Sequence, residues 1–110
     1  MPFRPAKSDV LHLINEARNA EGLPNLDDIP RGLTGQPNQC PLANAIGGFV
    51  GVDGICFDEP VQAMSVASAW KTRVRQHPNG SYIVRLPELL QRFVRDFDLG
   101  AYHKLSPQVA

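Results

Sequence analysis

Four cations recur at matched positions of one short stretch: Lys71, Arg73 and Arg75, then Arg85 shortly after. Long basic side chains in a row do one kind of chemistry, the holding of anions such as carboxylates, phosphates or a nucleic-acid backbone. The segment Trp70-Lys71-Thr72-Arg73-Val74-Arg75 alternates bulky or apolar residues with basic ones, the period of a strand with one buried face. His77-Pro78-Asn79-Gly80 supplies the turn, and Ser81 to Leu86 the return strand. A four-residue loop would mix Lys71, Arg73 and Arg75 with Tyr82, Val84 and Leu86. A three-residue loop gathers Trp70, Thr72, Val74, Tyr82, Val84 and Leu86 on one side and the cations on the other. A slip of one residue sends a whole side-chain set to the wrong face, so the second register is predicted.

Arg73 then stands opposite Arg85, with Lys71 and Arg75 beside them. Like charges directly opposite are unfavourable by roughly 0.2–1 kcal/mol. Charge runs are usually solvated or locally paired, and Asp53, Asp58 and Glu59 are close enough upstream to neutralise this one from a neighbouring strand. The external answer is an acidic protein, a phosphate or a nucleic-acid backbone.

Cys40 is the one candidate reactive thiol. It begins a short predicted helix, where the free backbone amides favour a thiolate. A nucleophile also needs a base held nearby, and His12, His77 and His103 are far apart in sequence. The plainer reading is a small buried residue at a helix start. Cys40, Cys56 and the histidines lack the paired spacings of a metal site. Asp27-Asp28 before Pro30 suits turn or capping duty. Gly47-Gly48 and Gly51 match no phosphate-binding loop. Trp70 reads as a core anchor rather than a stacking platform. No catalytic set, metal or cofactor is assigned.

The positioning elements follow from pattern. Pro87 suits a first helical position, and Leu89, Leu90, Phe93, Val94 and Phe97 make a broad apolar stripe closed by Gly100. Glu88 and Arg92, then Arg92 and Asp96, are spaced to pair along this helix. The stripe is expected to cover the apolar face of the hairpin. Ser8 is expected to cap a first helix with Val10, Leu11, Ile14 and Ala17 on its apolar face. Gly22 and Pro24 end it. Residues 23 to 39 read as an irregular connection pinned by Leu23, Leu26, Ile29 and Leu33. Pro41 to Ile46 reads as a short helix ending at Gly47. Phe49 to Val52 and Ile55 to Phe57 flank Asp53-Gly54, a tight-turn dipeptide. Val61 to Ser68 fits a helix after Pro60 or extended chain.

The 110 residues suit a single domain, 1–110, with a modest core. Eleven basic and eleven acidic side chains cancel, and a pI near 6.8 argues against a dedicated nonspecific nucleic-acid binder. No apolar run approaches membrane-spanning length. The start lacks the apolar stretch of a signal peptide, and two cysteines make no disulfide framework, so a cytoplasmic protein is expected.

Arg31-Gly32, then Cys40-Pro41-Leu42-Ala43-Asn44-Ala45-Ile46, then Leu86-Pro87, Phe93-Val94, Phe97-Asp98, Gly100 and Tyr102 form a pattern over most of residues 30 to 105. In it the chain resembles small uncharacterised proteins of actinobacteria and their phages. The resemblance implies a cytoplasmic bacterial or phage-encoded protein and supplies no activity or catalytic residue.

The sequence therefore predicts an α+β fold. A small antiparallel sheet of about three strands, with its central hairpin at 70–86, packs against an N-terminal and a C-terminal helix. The expected function is that of a non-catalytic regulatory module binding another protein. Its contact surface is Lys71, Arg73, Arg75 and Arg85 or an open sheet edge, and a homodimer is a further use of such an edge. The alternative is nucleic-acid binding through the same arginines.

Overall fold

The structure, a computed structural model, describes residues 4–51, 54–102 and 105. Four helices and four strands follow in the order α1 (Lys7–Ala20), α2 (Pro41–Ile46), β1 (Phe49–Val50), β2 (Gly54–Phe57), α3 (Pro60–Trp70), β3 (Val74–Gln76), β4 (Tyr82–Arg85) and α4 (Glu88–Asp98). The strands form one antiparallel sheet in the order β1-β2-β4-β3. The fold is α+β, with four strands where about three are predicted.

The hairpin register is the one that pattern selects. Val74 pairs with Val84, Arg75 with Ile83 and Gln76 with Tyr82. The His77 N–H donates to the Ser81 carbonyl at 2.8 Å, closing the three-residue loop Pro78-Asn79-Gly80. Asn79 Oδ1 accepts from both the Ser81 N–H and its hydroxyl, so the loop fixes itself. Val74, Tyr82, Val84 and Leu86 fall on the covered side.

The strand is shorter than predicted. Trp70 ends α3 instead of opening β3. Pro60 sits in the first turn of α3, and Ala63, Val66, Ala67 and Trp70 are buried at helical spacing. The Trp70 indole N–H donates to the Leu13 carbonyl at 2.8 Å, which ties α3 to α1. Alternation misleads here because Lys71 and Thr72 are a helix stop. Lys71 takes the left-handed conformation, at φ 58°, and the Thr72 N–H returns to the Ala67 carbonyl at 2.9 Å.

The cover of the hairpin also differs from expectation. α3 lies against β2, β3 and β4, while α4 packs on α1. Leu90, Phe93 and Phe97 of α4 are buried, and Phe93 packs against Tyr102 with ring centroids 4.9 Å apart and the rings tilted by 57°. Each such large apolar side chain contributes about 1.5–3 kcal/mol when buried. α4 therefore stands at the end of the sheet, beyond Leu86-Pro87, with its polar stripe uncovered.

α1 starts at Lys7, with Ala6 rather than Ser8 as its N-cap residue and no side-chain cap. Val10, Ile14 and Ala17 are its buried face. In the irregular connection, Asn15 holds Leu26 through two reciprocal hydrogen bonds, and Ile29 is buried. Leu23 and Leu33 stay 40% exposed and do not pin it. The Gly51 N–H donates to the Gly54 carbonyl, so Gly54 belongs to β2 and not to the turn. Asp53, the other half of the expected turn, lies outside the described residues, as does His103.

Candidate functional site

The register puts Arg73 directly opposite Arg85, with the Arg85 N–H donating to the Arg73 carbonyl at 2.9 Å. Both side chains leave the open face of the sheet, away from α3. Lys71 reaches the same region because its left-handed turn redirects the chain between α3 and β3. α4 closes the far side. Burying Leu90, Phe93 and Phe97 leaves Glu88, Gln91, Arg92 and Arg95 on the other side, at i, i+3, i+4 and i+7 spacing. The Gln91 amide donates to the Leu86 carbonyl at 2.9 Å, which fixes α4 against the end of β4.

A cleft of about 560 Å³ lies between these walls. Five cations line it: Lys71, Arg73, Arg85, Arg92 and Arg95. Among the described residues, Glu88 is the one carboxylate that lines it. Among the described residues, the oppositely charged pair within 4.0 Å is Lys7 with Asp28, and His12 contacts Glu16 at 3.1 Å, both elsewhere. Glu88 and Asp96 do not hold Arg92 at that distance, contrary to their spacing. Asp58 and Glu59 sit at the start of α3 and do not hold Arg73 or Arg85 either. The cluster repels itself, and an anion in the cleft relieves it.

Thr72 lines the same cleft, and its hydroxyl oxygen is buried without a hydrogen-bond partner among the described residues. Such an orphan is uncommon and costs stability. Arg75 stands apart from the cleft. It shares a smaller hollow of about 400 Å³ with Arg73, Ile83 and Arg85 on the open sheet face. There one ladder row runs Phe49, Cys56, Ile83, Arg75, and Phe49 is 57% exposed.

The sheet edges are unequal. The Val50 N–H of β1 donates to the Pro37 carbonyl, so a loop occupies that edge. On β3, Arg73, Arg75 and His77 bond towards β4, which turns the backbone groups of Val74 and Gln76 outward. Adding a second copy at this edge would set Arg73 and Arg75 against their own counterparts, which opposes the homodimer expected from an open edge.

Cys40 does begin α2, and the Ala43 N–H points at its sulfur at 3.4 Å. Burial nevertheless outweighs those amides and pushes the thiol above its ordinary range. Cys56 is likewise raised by burial, against the pull of Arg75. Both thiols are free. His77 accepts from the Asn79 N–H within the turn, and Asp28 from the Ile29 N–H in the connection. Among the described residues, no group of three or more His, Cys, Asp or Glu side chains is placed to hold a metal ion. None of the helices there is long and apolar enough to cross a membrane.

Sequence reasoning reached Lys71, Arg73 and Arg85 but missed Arg92 and Arg95. The signal for Arg92 is the polar stripe of α4, where its spacing from Glu88 and Asp96 predicts local ion pairing; Arg95 lies on the same stripe. No protein-family model, curated protein or solved structure matches the chain.

Proposed function

We propose that this chain is a non-catalytic protein-binding module whose basic cleft takes an acidic segment of a partner. One observation supports the reading above others: cations from the helix stop, the residue before β3, the end of β4 and α4 line one cleft, with a single carboxylate among its described lining residues. Folding has gathered like charges that gain nothing from each other, so their use lies in a ligand. A net charge of zero suits a partner recognised at one place, because the remaining surface carries the balancing acids. The resemblance to small actinobacterial and phage proteins supports a cytoplasmic setting, for a protein of bacterial or phage origin.

The test is anisotropy titration of a labelled peptide of ten glutamates at low ionic strength. Binding is expected, with loss on Arg85→Glu and on Arg92→Glu. Equal binding by wild type and both variants would remove the cleft as the site.

A second reading rests on Phe49. Its exposed ring shares the open sheet face with Arg75 on the opposite edge strand, an arrangement that suits a base stacked at one edge and a phosphate held at the other by one single strand. Single-stranded DNA or RNA retention that falls steeply with salt, and falls again on Phe49→Ala, supports this reading. Retention indifferent to Phe49→Ala and Arg75→Glu ends it.

A further inference from the structure

The basic cleft does not stop at α4's cationic stripe. Gln91 and Arg95 line it on one side and, on the other, line a second hollow of about 400 Å³. Val50, Val94 and Leu99 give that hollow its apolar wall. Val50 is buried, Val94 half-buried and Leu99 79% exposed, so a graded apolar surface opens directly beside Arg95, one of the five cleft cations. Asp98 also lines the hollow, but its carboxylate already accepts from the Gly35 N–H at 3.1 Å. The two hollows adjoin at Gln91 and Arg95, which line both, so the groove along α4 is basic on one side of these side chains and apolar on the other.

We infer that the occupant of this groove is a partner segment carrying two or more carboxylates with one large apolar side chain near them. This rests on the acidic-segment reading above and adds the anchor to it. A carboxylate run alone would bind by charge, with little specificity and strong salt dependence. A nucleic-acid backbone offers no apolar side chain to the Val50–Val94–Leu99 wall. A peptide carrying both satisfies both ends at once, and the apolar anchor supplies the desolvated contact that fixes register.

The spacing follows from helix geometry. Arg92 of α4 and Leu99, the residue that caps its C-terminus, are seven positions apart, which is about 10 Å along the helix axis. An extended peptide covers that distance in about three residues. The segment therefore carries Asp or Glu at one point and Leu, Ile, Met or Phe about three residues away.

Selection of binders from a random twelve-residue peptide library on the immobilised wild-type chain tests this, followed by anisotropy titration of the selected peptides at physiological ionic strength. The expected winners combine acidic residues with an apolar residue at that spacing. Leu99→Ser, at a position exposed enough to leave folding intact, should weaken them about tenfold, the loss of one well-covered apolar contact. Arg85→Glu should abolish their binding. Acidic winners with no apolar preference and no response to Leu99→Ser would overturn the anchor while leaving the acidic-segment reading in place. Winners with no acidic enrichment would overturn both. Concentration-dependent self-association that Arg85→Glu abolishes would give the groove to a second copy instead and overturn the partner assignment.

Discussion

Arg73 and Arg85 face each other across neighbouring strands, joined backbone to backbone at 2.9 Å, and no described carboxylate lies within 4.0 Å of either guanidinium. This pair costs the fold stability and makes the cleft basic. Stability and binding should therefore respond in opposite directions when it is changed.

Arg73→Glu places a carboxylate opposite Arg85 and turns a repulsive cross-strand pair into an attractive one. The expected gain is about 0.2–1 kcal/mol. For a domain of this size that raises the melting temperature by a few degrees, at about 4–8 °C per kcal/mol. Affinity for the glutamate peptide should fall in the same variant. A lowered melting temperature would show that Arg85 already has an acidic partner outside the described residues, for which Asp53 is the nearest candidate in sequence.

Lys71→Gly tests the helix stop. Lys71 holds φ at 58°, a conformation that costs a residue with a Cβ about 1 kcal/mol and glycine almost nothing. The denaturation midpoint in urea should rise with an unchanged slope. Peptide binding should weaken because one of the five cleft cations is gone. An unchanged or lower midpoint would mean that the stem of Lys71 contributes packing that the turn needs.

Gly32 runs against the start of α2. A Cβ there would lie 2.4 Å from the Pro41 nitrogen and 2.5 Å from the Cys40 carbonyl carbon, both backbone atoms that cannot swing aside. Gly32→Ala should cost about 1–3 kcal/mol by forcing the connection away from the helix. Thermal melts read this directly. A loss below a few tenths of a kcal/mol would show that the connection yields freely.

Glu21 gives a pH signature. Burial pushes its carboxyl above the ordinary 4.5, outweighing a 2.6 Å hydrogen bond from the Gln62 amide and the charge of Arg18. A carboxyl raised in the folded state binds its proton more readily there than in the unfolded chain. Its stabilising contribution is complete below pH 4.5 and is lost as pH rises through the raised value. Glu21→Gln keeps the acceptor and removes the charge. The variant should melt higher than wild type at neutral pH, and the difference should vanish below pH 4.5. A constant difference across that range would assign the effect to packing.

Much of this was legible in the chain because local rules sufficed. The hairpin register followed from parity, since one loop length sorted Val74, Tyr82, Val84 and Leu86 from the cations. α2 followed from Pro41 and Gly47, and α4 from its apolar stripe. The reading failed where two local rules agreed with different structures. Lys71 and Thr72 fit strand alternation and also fit a helix stop, and the fit of Trp70 into the α1–α3 contact decided between them. Arg92 fit a ladder of helix ion pairs, but α4 turned that stripe towards Arg85.

The order of side chains along the chain determined which faces were apolar, because alternation and helical period depend only on neighbours. Which apolar face met which did not follow, since α3 and α4 both carried a surface able to cover the hairpin. Packing gave the hairpin to α3 and moved α4 to the end of the sheet. That choice, made by the whole core at once, brought residues 71, 73, 85, 92 and 95 around a single cleft.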